Sequence, residues 1–237
     1  WVCYRDVHSG QTSQDSWAKS DVECVRGRQG NWSLSRECAF MGGPTMAAAG
    51  GRLTMVIADG KPVLAWDSAL GGADTRGTDV KVYERGGAGS WSQIGGFGSA
   101  NTDSGPALAW DAVAGLGVAY YDGTQLRLAL RAPGQTTWSD DLVFGEGTGG
   151  WRPSLAFDDQ HDPSVAFYVC AARDGANASQ CDVNELRVKR RSLGVWSEQV
   201  VDQAGGGAVR LRTLSSGKRA VAYRDLHTGA VKLAVER

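Results

Sequence analysis

Four Trp-Ser pairs recur along the chain, at Trp32-Ser33, Trp91-Ser92, Trp138-Ser139 and Trp196-Ser197, about 47 to 59 residues apart. Each follows a small or Gly-rich turn, in RQGNWS, GAGSWS, PGQTTWS and SLGVWS. One repeat of this size cannot bury its own apolar faces and must lean on the next. A period of roughly 40 to 50 residues built from strands is the sequence mark of a β-propeller. The repeat therefore predicts an all-β chain of sheets laid side by side.

Each interval holds four short apolar stretches, the number expected of one blade. In the third unit the inner strand falls at 106–111 and the second strand at 117–122. A tight turn at Gly123-Thr124 leads to a third strand at 126–130, and the outer strand occupies 141–144. Leu126, Leu128 and Leu130 alternate with Arg127, the period-2 pattern of a half-buried strand. Second strands recur from Val2, Val63, Val165 and Val221, and third strands from Val22, Val80, Leu186 and Val231. Inner strands are expected at 53–57, 152–157 and 209–214. Five second strands predict about five four-stranded antiparallel blades in a single domain, 1–237. The units run roughly 1–40, 41–99, 100–146, 147–202 and 203–237. The terminal blades are incomplete: the first lacks an inner strand and the last stops after its third.

Composition fits this reading. The 33 glycines against 6 prolines, with no G-X-Y period, suit many tight turns. A net charge of -1 supplies no basic face for a phosphate backbone, so nucleic acid is not an expected partner. No apolar run approaches the roughly 18 residues that cross a bilayer, so membrane insertion is not expected either. The opening Trp1, without initiator Met or signal sequence, suggests a processed product or an excised domain.

The units resemble the repeats of secreted bacterial β-propeller proteins, in which P-S-L-A-x-D, G-x-P-x-V-A-Y-x-D, L-x-x-A and W-S follow one another blade after blade. RPSLAFDDQHDPSVAFY from Arg152 and GPALAWDAVAGLGVAYYDGTQLRLAL from Gly105 carry the pattern most fully. The stretch APGQTTW, 132–138, resembles the end of the Asp-box turn of sialidase-like propellers, without the Asp of the box. The resemblance implies a secreted or cell-surface protein. It also implies one binding face, on which second-to-third and outer-to-inner connections emerge. The second-to-third connections are uneven, with insertions of about fifteen residues at 7–21, about twelve at 68–79 and about sixteen at 170–185. Insertions gathered on one face often mark the face that acts.

That face would present Asp6, His8, Asp67, Asp74, Arg76, Tyr121, Asp122, Trp151, Arg152, Arg173, Asp174, Asp225 and His227. Aromatic planes beside carboxylates and guanidinium groups suit a sugar, and a glycan or a partner protein is the expected ligand. For Asp6, Asp67, Asp122 and Asp225 the recurrence in four of five units favours a structural part, because an Asp ending a strand caps the following turn. RDVHSG from Arg5 and RDLHTG from Arg224 repeat one turn, which makes His8 and His227 turn residues rather than metal ligands.

A glycoside hydrolase needs two carboxylates across the scissile bond, and the sequence offers no means of choosing a pair. No residue is assigned a catalytic role. A sialidase-like hydrolase and a purely structural module are the alternatives to recognition. Arg210 and Arg212 alternate along a strand in the manner of solvent-facing residues.

No cofactor is expected. Calcium is the one ion the composition raises, through the oxygen-rich loop at 158–162, which lies on the face opposite the insertions. Of the five cysteines, Cys170 and Cys181 bracket the longest insertion and are expected to bridge. Cys3 and Cys24 lie on adjoining strands at core positions, where they form a second bridge or pack as thiols. Cys38 is left over. Disulfides would require an oxidising compartment.

Overall fold

The computed structural model describes residues 1–7, 20–28, 30–40, 48–69, 78–99, 105–145, 149–173 and 181–237. Among these residues the regular structure is strand, apart from a 3-10 turn at Gly87–Gly89. Eighteen strands form five antiparallel sheets, each a meander in which every strand pairs with its neighbour in sequence. This is the all-β organisation of a β-propeller of about five blades. The chain divides into two compact units, Trp1–Thr102 and Asp103–Arg237.

The first unit holds a three-stranded and a four-stranded sheet. Sheet 1 comprises β1 (Val2–Val7), β2 (Ser20–Arg28) and β3 (Asn31–Phe40). Sheet 2 comprises β4 (Ala48–Ala58), β5 (Lys61–Ala69), β6 (Thr78–Arg85) and β7 (Trp91–Ser99). Asp59 and Gly60, both at positive φ, close the β4–β5 hairpin as a two-residue turn whose twist matches the strands. Val22, Cys24, Leu64 and Trp66 form the core, with Trp1, Leu53, Met55, Tyr83 and Trp91 packed around it. The Arg85 guanidinium grips the Glu37 carboxylate in a two-point pair, Nε and Nη2 each at 2.7 Å, and so ties sheet 2 to sheet 1. That pair holds the Glu37 carboxyl below its usual range. A disulfide joins Cys3 to Cys24, which face each other directly across β1 and β2. The bridging alternative therefore holds over free thiols, and closing a loop of this length is worth about 3 kcal/mol.

The second unit holds three sheets. Sheet 3 comprises β8 (Ala107–Asp111), β9 (Gly115–Tyr121), β10 (Leu126–Arg131) and β11 (Ser139–Phe144). Sheet 4 comprises β12 (Gly149–Phe157), β13 (Pro163–Arg173), β14 (Cys181–Ser192) and β15 (Val195–Asp202). Sheet 5 has only β16 (Gly205–Thr213), β17 (Arg219–Asp225) and β18 (Val231–Val235).

The inner strand β12 packs between β8 and β16. One face of sheet 4 sends Leu155, Val165, Phe167 and Val169 against Ala109, Ala119, Leu126 and Leu128 of sheet 3. Its other face sends Ala156, Ala166, Leu186 and Val188 against Val209, Leu211, Val221 and Tyr223 of sheet 5. Successive side chains point to opposite faces of a strand, so a sheet covered on both sides loses the polar half of its alternation. β13, in the middle of sheet 4, accordingly is buried without a break from Pro163 to Cys170.

The recurrent Trp-Ser pair opens the fourth strand. In sheet 3 the Ser139 hydroxyl donates to the carbonyl of Leu130, its ladder partner, at 3.3 Å. In sheet 4 Ser197 does the same to Arg190 at 3.4 Å. Trp138 lies under the Arg131 guanidinium, 5.3 Å from its centroid, and Trp196 packs on the core shared by sheets 3 and 4. The pair thus fastens the outermost strand to the third.

Candidate functional site

The ends of β9 and β13 and the start of β12 meet at one end of the second unit. Tyr121, Trp151, Tyr168 and Cys170 form a buried cluster there. Trp151 is central, its ring 6.0 Å from Tyr121 and 5.8 Å from Tyr168, tilted against both. The Tyr168 hydroxyl donates to Asn184 Oδ1, a buried side chain on β14. Burial pushes the Tyr168 phenol up to about 12. Tyr121 and Trp151 are 5% and 3% exposed, with Trp151 packed at a tilt between Tyr121 and Tyr168, so neither ring lies open to a ligand.

Arg152 stands beside this cluster. Its backbone is left-handed, φ 55°, a region that non-glycine residues occupy rarely and that concentrates at functional sites. The side chain is half-buried, and its Nε is enclosed without a hydrogen-bond partner among the described residues. Its Nη1 reaches to Gly207 of sheet 5, where a methyl group would stand 3.8 Å away. Leu226 borders the same glycine. The start of β16 and the turn after β17 therefore lie at the same end as the aromatic cluster.

The two described second-to-third turns here are built on an Asp. The Asp122 Oδ1 accepts from the backbone N–H of Thr124 and Gln125 and from the Thr124 hydroxyl. Burial alone would raise this carboxyl; the donors outweigh it and hold it below the usual range. Asp225 repeats the device on His227 and Thr228, while its second oxygen lies 2.6 Å from Lys232 Nζ. Lys232 also meets Asp202 Oδ2 at 3.0 Å, and that oxygen accepts from the Tyr223 hydroxyl at 2.5 Å. The Lys232 ammonium, with two turn donors, keeps Asp225 well below the carboxylate range; the Tyr223 hydroxyl leads in doing so for Asp202.

Of the residues singled out from sequence, Tyr121, Trp151, Arg152, Asp122, Asp225 and His227 come together at this end of the second unit, with His227 exposed. Asp67 is fully buried in sheet 2. Asp6 and Arg173 lie on β1 and β13, but their side chains fall outside the described residues. His8, Asp74, Arg76 and Asp174 lie outside them altogether, as do the central parts of the three insertions. The third insertion is shorter than its sequence suggests, because β13 runs on to Arg173 and β14 starts at Cys181. Cys170 is disulfide-bonded. The Cys181 and Cys38 side chains fall outside the described residues.

Tyr168 and Asn184 were not singled out beforehand. At the place of Tyr168 the other units carry Arg5, Trp66, Tyr121 and Arg224, so recurrence gave no signal for it; the departure in this unit is Val169, which stands where the others have Asp.

The opposite end of the second unit carries the acidic loop. Asp158 Oδ1 accepts from the N–H groups of Gln160 and Asp162, and Arg190 Nη2 lies 2.7 Å from Asp158 Oδ2 and 3.3 Å from Asp162 Oδ2. The loop carboxylates converge on a guanidinium. Asp111 meets His161 Nδ1 at 3.0 Å.

No protein-family model and no curated protein matches the chain. Solved structures do. The GH43 endo-arabinanase from Bacillus licheniformis aligns over 92% of this chain and 88% of its own, at 12% identity and a TM-score of 0.43. A putative 6-phosphogluconolactonase from Bacteroides uniformis aligns over 93% of this chain and 78% of its own, at 13% identity and a TM-score of 0.38. No helix among the described residues is long and apolar enough to cross a membrane.

Proposed function

We propose that the chain is an extracellular recognition module that binds a glycan at the Arg152 end of its second unit. The observation that carries the reading is Arg152 itself. A strained backbone and a rigid aromatic cluster hold its guanidinium where two sheets meet, with an enclosed nitrogen that has no acceptor among the described residues. A guanidinium presents a planar fork of donors that fits a carboxylate or paired hydroxyls, groups that sugars supply. The Cys3–Cys24 bridge and the disulfide at Cys170 support an oxidising compartment.

Hydrolysis is the less favoured reading, because Asp122, Asp202 and Asp225 are engaged by turn donors, Tyr223 and Lys232. Recognition is argued here from the site and not from the fold, which hosts many activities. A glycan array on the intact chain tests it. Binding of acidic or densely hydroxylated glycans is expected, lost by about tenfold or more in Arg152→Ala, as removal of a charged hydrogen-bond donor implies. An array without any binding transfers the reading to a protein partner. Release of sugar from the bound glycans would replace recognition by hydrolysis.

A further inference from the structure

Arg152 occupies a backbone position that the neighbouring sheets give to glycine. The β12 ladder breaks between Trp151, opposite Tyr168, and Ser154, opposite Ala166, and the β16 ladder breaks likewise between Gly206 and Val209. Sheet 3 reaches the same point just before β8, where Gly105-Pro106-Ala107 matches Arg152-Pro153-Ser154 and Ala107 pairs with Ala119 as Ser154 does with Ala166. All three sheets turn left-handed there, with φ 55° at Gly105, 55° at Arg152 and 79° at Gly207. Glycine meets that demand without steric cost, and a residue with a Cβ is strained by it. An irregularity of this kind re-aims the side chain it carries. Of the three sheets in this unit, sheet 4 alone gives it a side chain to aim.

Charge sets Arg152 apart a second time. Among the half-buried arginines described in the second unit, Arg127, Arg187, Arg190, Arg191 and Arg219 each pair with a carboxylate. Arg131 lies over the Trp138 ring. Arg152 has neither kind of partner among the described residues. The described acids at its end of the unit are taken: Asp122 by turn donors, Asp202 and Asp225 by Lys232, and Glu185 by Arg187. A partly enclosed cation without an anion is costly. Gly207 also keeps one side of the guanidinium clear, since a methyl group there would already touch Nη1 at 3.8 Å.

We propose that Arg152 selects an acidic sugar, its guanidinium taking the carboxylate of a sugar acid. The proposal rests on the glycan reading above and narrows it to one chemical class. A carboxylate supplies the missing negative charge and matches the planar fork of donors in both spacing and shape. A neutral sugar would satisfy the donors and leave the charge unbalanced. The strain at φ 55° then has a function, because the glycine of the sister sheets would give the same chain path without the cation.

The test is an array of carboxylated, sulfated and neutral glycans, probed before and after methyl-esterification of the sugar carboxyls. It is run with the intact chain and with Arg152→Gly. That variant installs the residue the sister sheets use, so its melting temperature should stay within about 3 °C of the original. The unaltered chain should bind carboxylated glycans at least about tenfold more tightly than their esters. Arg152→Gly should bind acid and ester equally weakly. The esterification arm uses the unaltered chain and stands whatever the variant does. Esters bound as tightly as acids would overturn the inference and leave the glycan reading intact, as would a preference for acids that survives in Arg152→Gly. Binding confined to sulfated glycans and indifferent to esterification would overturn it in favour of a sulfate ester. An array without any bound glycan would remove the glycan reading and this inference together.

Discussion

Sheets 4 and 5 are built on one plan, and they differ in what covers them. Sheet 4 is flanked by sheets 3 and 5, and its central strands are apolar on both faces. Sheet 5 packs one face on sheet 4; its other face carries exposed Arg210, Arg212, Arg224, Val231 and Leu233. The same alternating motif therefore yields a core strand in one place and a half-solvated edge in the other. Neighbours, more than local sequence, decide what a blade residue contributes.

The sharpest test compares two large apolar residues. Phe167→Ala empties a fully buried site at the seam of sheets 3 and 4 and should cost about 3–5 kcal/mol. Leu233→Ala, on the open strand, should stay within about 0.5 kcal/mol. Urea denaturation of both variants measures the difference, and equal losses would mean that the fifth sheet is covered in solution.

A smaller effect is expected where inner strands begin. Gly150 has φ 101°, and a Cβ there would lie 2.6 Å from Leu126 Cβ. Gly207, at the start of β16, has φ 79° but would meet only the tip of Leu226 at 3.3 Å. Gly150→Ala should cost about 1–3 kcal/mol, with Gly207→Ala at the lower end of that range. Thermal melts rank the two, and the reverse order would break the comparison.

The smallest effect lies in pH dependence. Lys232 and Tyr223 hold Asp225 and Asp202 low, and Arg219 brings Glu236 down to about 2. A carboxyl depressed by folding stabilises the native state above its unfolded value and loses that contribution as pH falls through its folded value. The loss should therefore appear below about pH 4. In Lys232→Met the acid limb should be shallower, read by melting temperature against pH, while Arg219–Glu236 preserves part of the slope.

Much of this architecture was legible in the chain. The period-2 stretches gave the strands, and the Trp-Ser pairs marked the fourth strand because a hydroxyl and an indole are what fasten it. Recurrence also revealed Asp122 and Asp225 as turn acceptors, since a device used in several units serves geometry. The site was harder to see. Trp151 and Tyr121 suggested an open aromatic platform, but their burial depends on Tyr168 arriving from another strand, a contact that no local pattern encodes. The left-handed backbone at Arg152 was equally hidden, because nothing about an Arg between Trp and Pro announces positive φ. The insertion at 170–185 was overestimated because β-branched and small residues beyond Cys170 extend the hairpin.

One consequence follows from the meander order of all five sheets. Since each strand hydrogen-bonds to the segment made just before it, a sheet is complete as soon as its last residue leaves the ribosome. No strand must wait for a distant partner, so loop closure for each ladder stays small. Nascent chains of this kind can mature one sheet at a time, with each finished sheet offering a wall for its successor.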